Sequence, residues 1–179
     1  MGSIYTIREA VPDDAAGVAK VHVDSWRTTY REIVNDEFLA SLSYEKSEER
    51  WRNRLANNPV EYAMFVAVND EGQIVGFADG GRERSGDPSY DGELYAIYLL
   101  KEHQRKGIGK LLFHHVVSHL ASNHFHAMLI WVLNDNPSRY FYESVGGQLV
   151  RGKSIQIGEQ QLHESAYGWS NLTSLKDEL

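Results

Sequence analysis

Between Gln104 and Lys110 the chain reads Gln-Arg-Lys-Gly-Ile-Gly-Lys, residue types whose order suits the capture of an anion. The run opens a stretch in which Ile108, Leu112, Phe113, Val116, Val117 and Leu120 recur at helical spacing. The first turn of a helix leaves its N–H groups without partners and carries the positive end of the helix dipole. Gly107 and Gly109 let a ligand approach that backbone, and Arg105, Lys106 and Lys110 add positive charge beside it. A pyrophosphate is the ligand such a turn would hold. Glycine at a helix start also serves as a plain tight turn, so the motif has to be weighed with its surroundings. It lacks the third glycine of a dinucleotide fingerprint and the Gly-Lys-Ser/Thr ending of a Walker loop.

Other chemistries find less support. With no cysteine in the chain, no acyl group can pass through a protein thiol and no thiolate can hold a metal. No Gly-x-Ser-x-Gly elbow is present for a serine nucleophile. His115 and His119 have i,i+4 spacing but lack the Glu of a zinc-protease helix, and His124, His126 and His163 bring too few ligands together, so no metal is expected. A formal net charge of −7 argues against nucleic acid as a partner and allows a cationic small substrate.

Around this loop the patterns alternate. Ile4 to Arg8 reads as a strand, and Pro12-Asp13-Asp14 starts a helix carrying Val18, Val21, Ser25, Trp26, Thr29 and Tyr30. A second helix is expected from Tyr44 to Ala56, stopped by Asn57-Asn58-Pro59. Ala63 to Val68 and Gln73 to Asp79 form a hairpin, and after a polar loop Glu93 to Leu99 reads as a central strand, apolar on both faces. The helix of the glycine loop follows, then a strand from Met128 to Leu133 and a helix from Pro137 to Val145 closed by Gly146-Gly147. Gln148 to Trp169 holds two or three more strands. The order is β-α-α-β-β-β-α-β-α-β-β without an internal linker, which predicts one domain over residues 1–179. No stretch reaches the roughly eighteen apolar residues of a membrane span, and Met1-Gly2-Ser3-Ile4 lacks signal-peptide character. The expected location is cytoplasmic with no membrane partner, and the terminal Lys-Asp-Glu-Leu reads as coincidence.

The Gln104–Lys110 segment resembles the Gln/Arg-x-x-Gly-x-Gly/Ala motif of the GNAT N-acetyltransferase superfamily, and nearly the whole chain follows that family's order of elements. Asn136-Pro137-Ser138-Arg139-Tyr140-Phe141-Tyr142-Glu143-Ser144-Val145-Gly146-Gly147 resembles the family's Asn…Phe-Tyr-Glu-x-x-Gly segment. The segment Ser25 to Tyr30 is loosely similar to the polyamine and phosphinothricin acetyltransferase branches. The resemblance implies an α/β (α+β) GNAT fold, a mixed, mostly antiparallel sheet of six or seven strands with helices on both faces. It implies acetyl-CoA as cofactor, a primary amine of a small molecule as acceptor, and direct attack in a ternary complex. A homodimer is the assembly it favours.

The resemblance also implies roles. Gln104, Arg105, Lys106, Gly107, Ile108, Gly109 and Lys110 fall on the pyrophosphate loop, and Ile97, Tyr98 and Leu99 on the strand that takes the pantetheine arm through alternating main-chain groups. Either Asn134 or Asn136 stands for the family asparagine, and Asn136 before Pro137 is also a natural helix cap. Tyr142 falls on the acid that protonates the leaving thiolate. Glu93 falls where some members carry the base, with Tyr95, Tyr98 or water as alternative relays. An alkylammonium with a pKa of about 10.4 must lose a proton before it can attack. Trp26 and Tyr30 would border the acceptor. Two other readings share these motifs: acetylation of protein lysines or N-termini, and a non-catalytic acyl-CoA-binding regulatory domain.

Overall fold

The computed structural model describes residues 4–179; Met1 to Ser3, and with them most of the expected start without signal character, lie outside the described residues. A seven-stranded sheet runs through the protein in the order β1-β2-β3-β4-β5-β7-β6. Its strands are β1 (Thr6–Glu9), β2 (Ala63–Val68), β3 (Ile74–Arg82), β4 (Gly92–Leu99), β5 (Met128–Leu133), β6 (Gln148–Ile157) and β7 (Gln160–Trp169). Only β4 and β5 run parallel; every other neighbouring pair is antiparallel.

Alternation along the strands sends apolar side chains to both faces, and helices cover both. Met64, Val66 and Phe77 face α1 (Ala15–Thr29) and α3 (Tyr44–Ala56), which bring Ala15, Val18, Trp51 and Leu55 onto them. Ala67, Ala78 and Leu94 turn the other way, against Leu112, Phe113, Val116 and Leu120 of α4 (Ile108–Ser122). Burying such side chains contributes about 1.5–3 kcal/mol each, which fixes α4 and its N-terminus on the sheet.

Two short helices depart from the expected order. α2 (Asp36–Ser41) has six residues and one buried side chain, Leu39, too short to show a period; it starts because Asn35 Oδ1 accepts the N–H of Glu37 at 2.8 Å. α6 (Leu172–Glu178) is likewise capped by Asn171, whose side chain accepts the N–H of Ser174 at 3.0 Å, and buries Leu172 and Leu175. Among the described residues no helix is long and apolar enough to cross a membrane.

The break in the sheet matters most for function. Asp79 pairs with Ala96 and Gly80 with Leu94, which leaves Tyr95 as an extra residue on β4. This β-bulge bends the strand. Parallel pairing of β4 with β5 stops after Gly92↔Met128 and Glu93↔Leu129, so the two strands diverge over the second half of β4.

Where α1 crosses α3, His22 is buried and its Nδ1 lies 2.9 Å from Ser47 Oγ, with the Trp51 ring edge-on at 5.8 Å. Burial first, and the nearby Arg50 charge second, push the imidazole down to about 4. The unfolded chain therefore takes a proton that the folded chain refuses, and stability present above pH 6.5 is lost as pH falls toward 4. The cost at pH 5 is about 2 kcal/mol. His22→Gln should flatten this dependence: between pH 7.5 and 5 the thermal midpoint of the unmodified protein should drop by roughly 5 °C more than that of the variant. Parallel melting curves for both proteins would refute the assignment.

Candidate active site

The divergence of β4 from β5 opens a cleft of about 580 Å³. Its strand wall can be read from hydrogen bonds. Leu100 donates its N–H to Val75 O across the β3 side at 2.9 Å. Successive residues of a strand alternate, so Leu99 and Ile97 turn their N–H and C=O groups to the opposite edge, where β5 has left. Side chains occupy part of that edge: Ser25 Oγ and Gln104 Nε2 donate to Leu99 O at 3.3 and 3.2 Å.

The glycine loop closes one end. Gly107 has φ 81°, a left-handed conformation that glycine adopts without strain, and Arg105 holds φ 60° just before it. Gly107 O accepts the N–H of Leu111 at 3.2 Å, starting α4. The N–H groups of Gly107, Ile108, Gly109 and Lys110 have no acceptor among the described residues. A Cβ on Gly109 would stand 3.6 Å from Leu99 and Phe141, so the loop, the strand edge and the following helix meet there. Gln104, Arg105, Gly107, Gly109 and Lys110 line the cleft. Ile108 instead points into the core at 1% exposure, and Lys106 Nζ reaches Tyr5 Oη at 3.3 Å, outside the cleft.

The opposite wall comes from α5 (Arg139–Ser144) and the turn before it. Asn136 is buried in that wall: its Oδ1 accepts the N–H of Ser138 at 2.9 Å and its Nδ2 donates to Tyr30 Oη at 3.4 Å. Asn134 is exposed and accepts the Ser165 hydroxyl at 2.6 Å, so of the two asparagines only Asn136 lines the cleft. At the far end of α5, Gly147 donates to Tyr142 O at 2.8 Å and Gly146, φ 90°, to Glu143 O at 3.1 Å. This double bond at a helix C-terminus is the Schellman arrangement, and it fixes the turn that carries Tyr142.

Tyr142 lines the cleft with its ring buried and its hydroxyl bonded to no described residue. Burial first, then the neighbouring Tyr30, raise its hydroxyl well above the ordinary tyrosine value, so it is protonated at neutral pH. Tyr30 and Tyr98 are raised too, again chiefly by burial. Trp26 Nε1 donates to Tyr98 Oη at 3.1 Å and its ring lies 4.5 Å from that of Tyr30, so Trp26 supports the cleft from behind while Tyr30 and Tyr98 line it.

Glu93 is not brought into this cleft. At 3% exposure its carboxylate accepts from Arg84 three times, from NH2 at 2.8 Å, Nε at 3.2 Å and the backbone N–H at 3.1 Å. It sits at the last residue paired with β5 and there anchors the loop that follows β3. The cleft also draws on Trp131, which no motif marked, on Tyr140, which lies in a motif without a role of its own, and on Tyr95, named as a possible relay and placed as the bulge. Sequence spacing carries no signal for a one-residue bulge, because the strand pattern on either side of it stays apolar. His115 and His119 bond to the carbonyls of Leu111 at 2.9 Å and Glu61 at 3.0 Å, and no group of three or more acidic or histidine side chains among the described residues could hold a metal.

Known proteins decide what this cleft belongs to. A family model described as Acetyltransferase (GNAT) family matches residues 23–147, and the N-acetyltransferase YuaI of Bacillus subtilis, itself uncharacterized, is 42% identical over 173 residues, 97% of each chain. The chain belongs to the GNAT acetyltransferase family. Its fold is similar to that of the paia N-acetyltransferase of Thermoplasma acidophilum in complex with coenzyme A, with TM-score 0.68, 21% identity and coverage of 90% of this chain and 98% of that one. It is also similar to yncA of Salmonella typhimurium with its cofactor acetyl-CoA, with TM-score 0.69, 20% identity and 94% of each chain covered. In this GNAT chain the free amides fit a diphosphate, and the unpaired β4 edge fits an extended polar arm beside it.

Because nothing lies within 4 Å of a Cβ built on Gly107, a side chain there would meet no clash, only a disfavoured φ. Gly107→Val should therefore distort the amide cradle while leaving the core intact. Titration calorimetry with coenzyme A should show affinity reduced about tenfold or more, roughly the 1–2 kcal/mol of left-handed strain, with a nearly unchanged thermal midpoint. Unaltered affinity would remove the loop from the binding site.

Proposed function

We propose that this GNAT enzyme, acting as one domain, transfers an acetyl group from acetyl-CoA to the primary amine of a small molecule by direct attack. One observation carries the proposal: Gly107, Gly109 and Lys110 with their unpartnered amides, the β4 edge at Ile97 and Leu99 that β5 leaves unpaired, and Tyr142 all line the same cleft. Acetyl-CoA supplies an activated thioester. In this reading Gly107, Gly109 and Lys110 hold its diphosphate, while Leu99 and Asn136 guide the pantetheine arm. Ile97 N–H donates to the thioester carbonyl oxygen and stabilises the negative charge that gathers there.

Tyr142 hydrogen-bonds the sulfur and protonates it as the C–S bond breaks. The acceptor nitrogen forms the new C–N bond and releases two protons in all: one as the ammonium becomes an amine, the other on amide formation. One of these restores Tyr142. With Glu93 engaged by Arg84, water lining the cleft beside Tyr30 and Tyr98 is the better route for the other.

A small acceptor is favoured by a bridge between the segment after α1 and the β6–β7 hairpin. Gln160, in the β6–β7 hairpin, accepts the N–H of Asn35 at 2.9 Å and donates to Ile33 O at 3.1 Å. Ile33 and Phe38 pack there with Ile155, Ile157 and Leu162 of the same hairpin. In this reading the bridge leaves less room for an extended peptide than for a small amine.

Tyr142→Phe removes only the hydroxyl. With any amine that supports release of the CoA thiol, kcat should fall about 100-fold or more while CoA affinity stays within about twofold. A variant that turns over at the normal rate would show that the sulfur takes its proton elsewhere.

A further inference from the structure

On the α1/α3 face, at the end of the sheet where β4 begins, lies a second cavity of about 480 Å³ that the mechanism does not use. Arg54, Asn57 and Asn58, from the end of α3 and its turn, form one side, and Tyr62, Arg82 and Tyr95 the other. Tyr95 also lines the cofactor cleft, so the bulge residue is a wall common to the two spaces.

The cavity is built around a cation held by aromatic rings, whose charge reaches the buried Asp79 but which has no direct ion pair among the described residues. The guanidinium of Arg54 lies 4.9 Å from the Tyr62 ring centroid and 5.2 Å from that of Tyr95, and those rings stack 6.2 Å apart. Its neighbours are spoken for: Arg52 pairs with Glu48, Arg82 with Glu61 and Arg84 with Glu93. Among the described residues Arg54 has no ion pair and donates no hydrogen bond, although it is half-buried and carries five donors. The Asn58 side chain is unengaged as well. Asp79, the other carboxylate close by, is buried behind Tyr62 and takes its hydroxyl at 2.9 Å, so it stands outside the cavity. The lining cations, Arg54 and Arg82, thus outnumber the lining anion, Glu61. A carboxylate suits the planar fork of a guanidinium.

We propose that this cavity receives the carboxylate of the acceptor, so that the substrates are amino acids whose amine and carboxylate lie several bonds apart. This rests on the reading that the amine reacts beside Ile97. Two residues of strand, about 7 Å, separate Ile97 from Tyr95. The Arg54 guanidinium lies 5.2 Å beyond the Tyr95 ring, so a chain of about five methylenes is the shortest that suits, with 6-aminohexanoate as probe and hexylamine as its match without the carboxylate.

Both probes are titrated calorimetrically into the protein saturated with CoA, and both are assayed with acetyl-CoA for thiol release. The carboxylate should improve affinity and kcat/KM at least tenfold, and this ratio should fall toward one in Arg54→Gln. Asn58→Asp, which adds a negative charge at an exposed position and so leaves the core alone, should lower it likewise. Equal behaviour of the two probes with the unmodified protein overturns the proposal, as does a ratio that survives both substitutions. Inorganic phosphate that binds and is lost in Arg54→Gln, with no advantage for 6-aminohexanoate, would make this a free-anion site instead. If neither amine releases thiol, the acetyl-transfer reading fails, while the calorimetric ratio still decides the subsite.

Discussion

The structure depends on an incomplete strand pairing. A sheet normally satisfies each backbone N–H and C=O through its neighbours, and an unpaired group in a buried position costs as much as a lost hydrogen bond. Here β4 and β5 pair at two positions and then separate, because Tyr95 adds a residue that bends β4 away. The groups at Ile97 and Leu99 are polar and point one way, and only Leu99 O is met by side chains, Ser25 and Gln104, which leaves an edge suited to an extended ligand. Sheet stability is given up locally to create it, and the cores on both faces, filled by α1 and α3 on one side and α4 on the other, compensate.

The same packing sets the electrostatics. Because α4 is pinned by Leu112, Phe113, Val116 and Leu120, its first turn is held in place, and four consecutive amides without acceptors among the described residues stay beside the end of that edge. Lys110 adds a full charge to the partial charges of that helix end. Opposite, the Schellman turn of Gly146 and Gly147 does for Tyr142 what the sheet does for α4. The free amides, the strand edge and the Tyr142 hydroxyl are held by three separate elements, so their mutual geometry belongs to the core as a whole.

Burial shapes the acid–base character of the cleft. Tyr30, Tyr98 and Tyr142 all have their ionisation suppressed by desolvation, which keeps three neutral hydroxyls around the reaction space at neutral pH. Glu93, the carboxylate on β4 nearest this space, is bound by three N–H groups of Arg84. A carboxylate so engaged anchors the loop after β3, and the cleft is lined by hydroxyls, Tyr98 among the expected alternative relays, and not by the Glu93 carboxylate.

Local sequence alone determined the glycine loop before a helix, the helix and strand periods around it, and the Asn-Pro and Gly-Gly boundaries of the segment carrying Tyr142. Each is a short-range matter of backbone freedom, capping or apolar spacing; they stand where the residues predict them, except that α5 begins at Arg139, two residues after the expected Pro137, because Pro137 and Ser138 form a turn. The short helices α2 and α6 escaped because a cap and one or two buried leucines show no period. Tertiary structure alone decided that Asn136 and not Asn134 enters the cleft, that Glu93 is taken by Arg84, that Ile108 and Lys106 turn away from the loop's ligand face, and that Tyr95 is a bulge. Those outcomes turn on which groups from distant segments arrive within bonding distance of one another, and no property of a residue and its immediate neighbours encodes that.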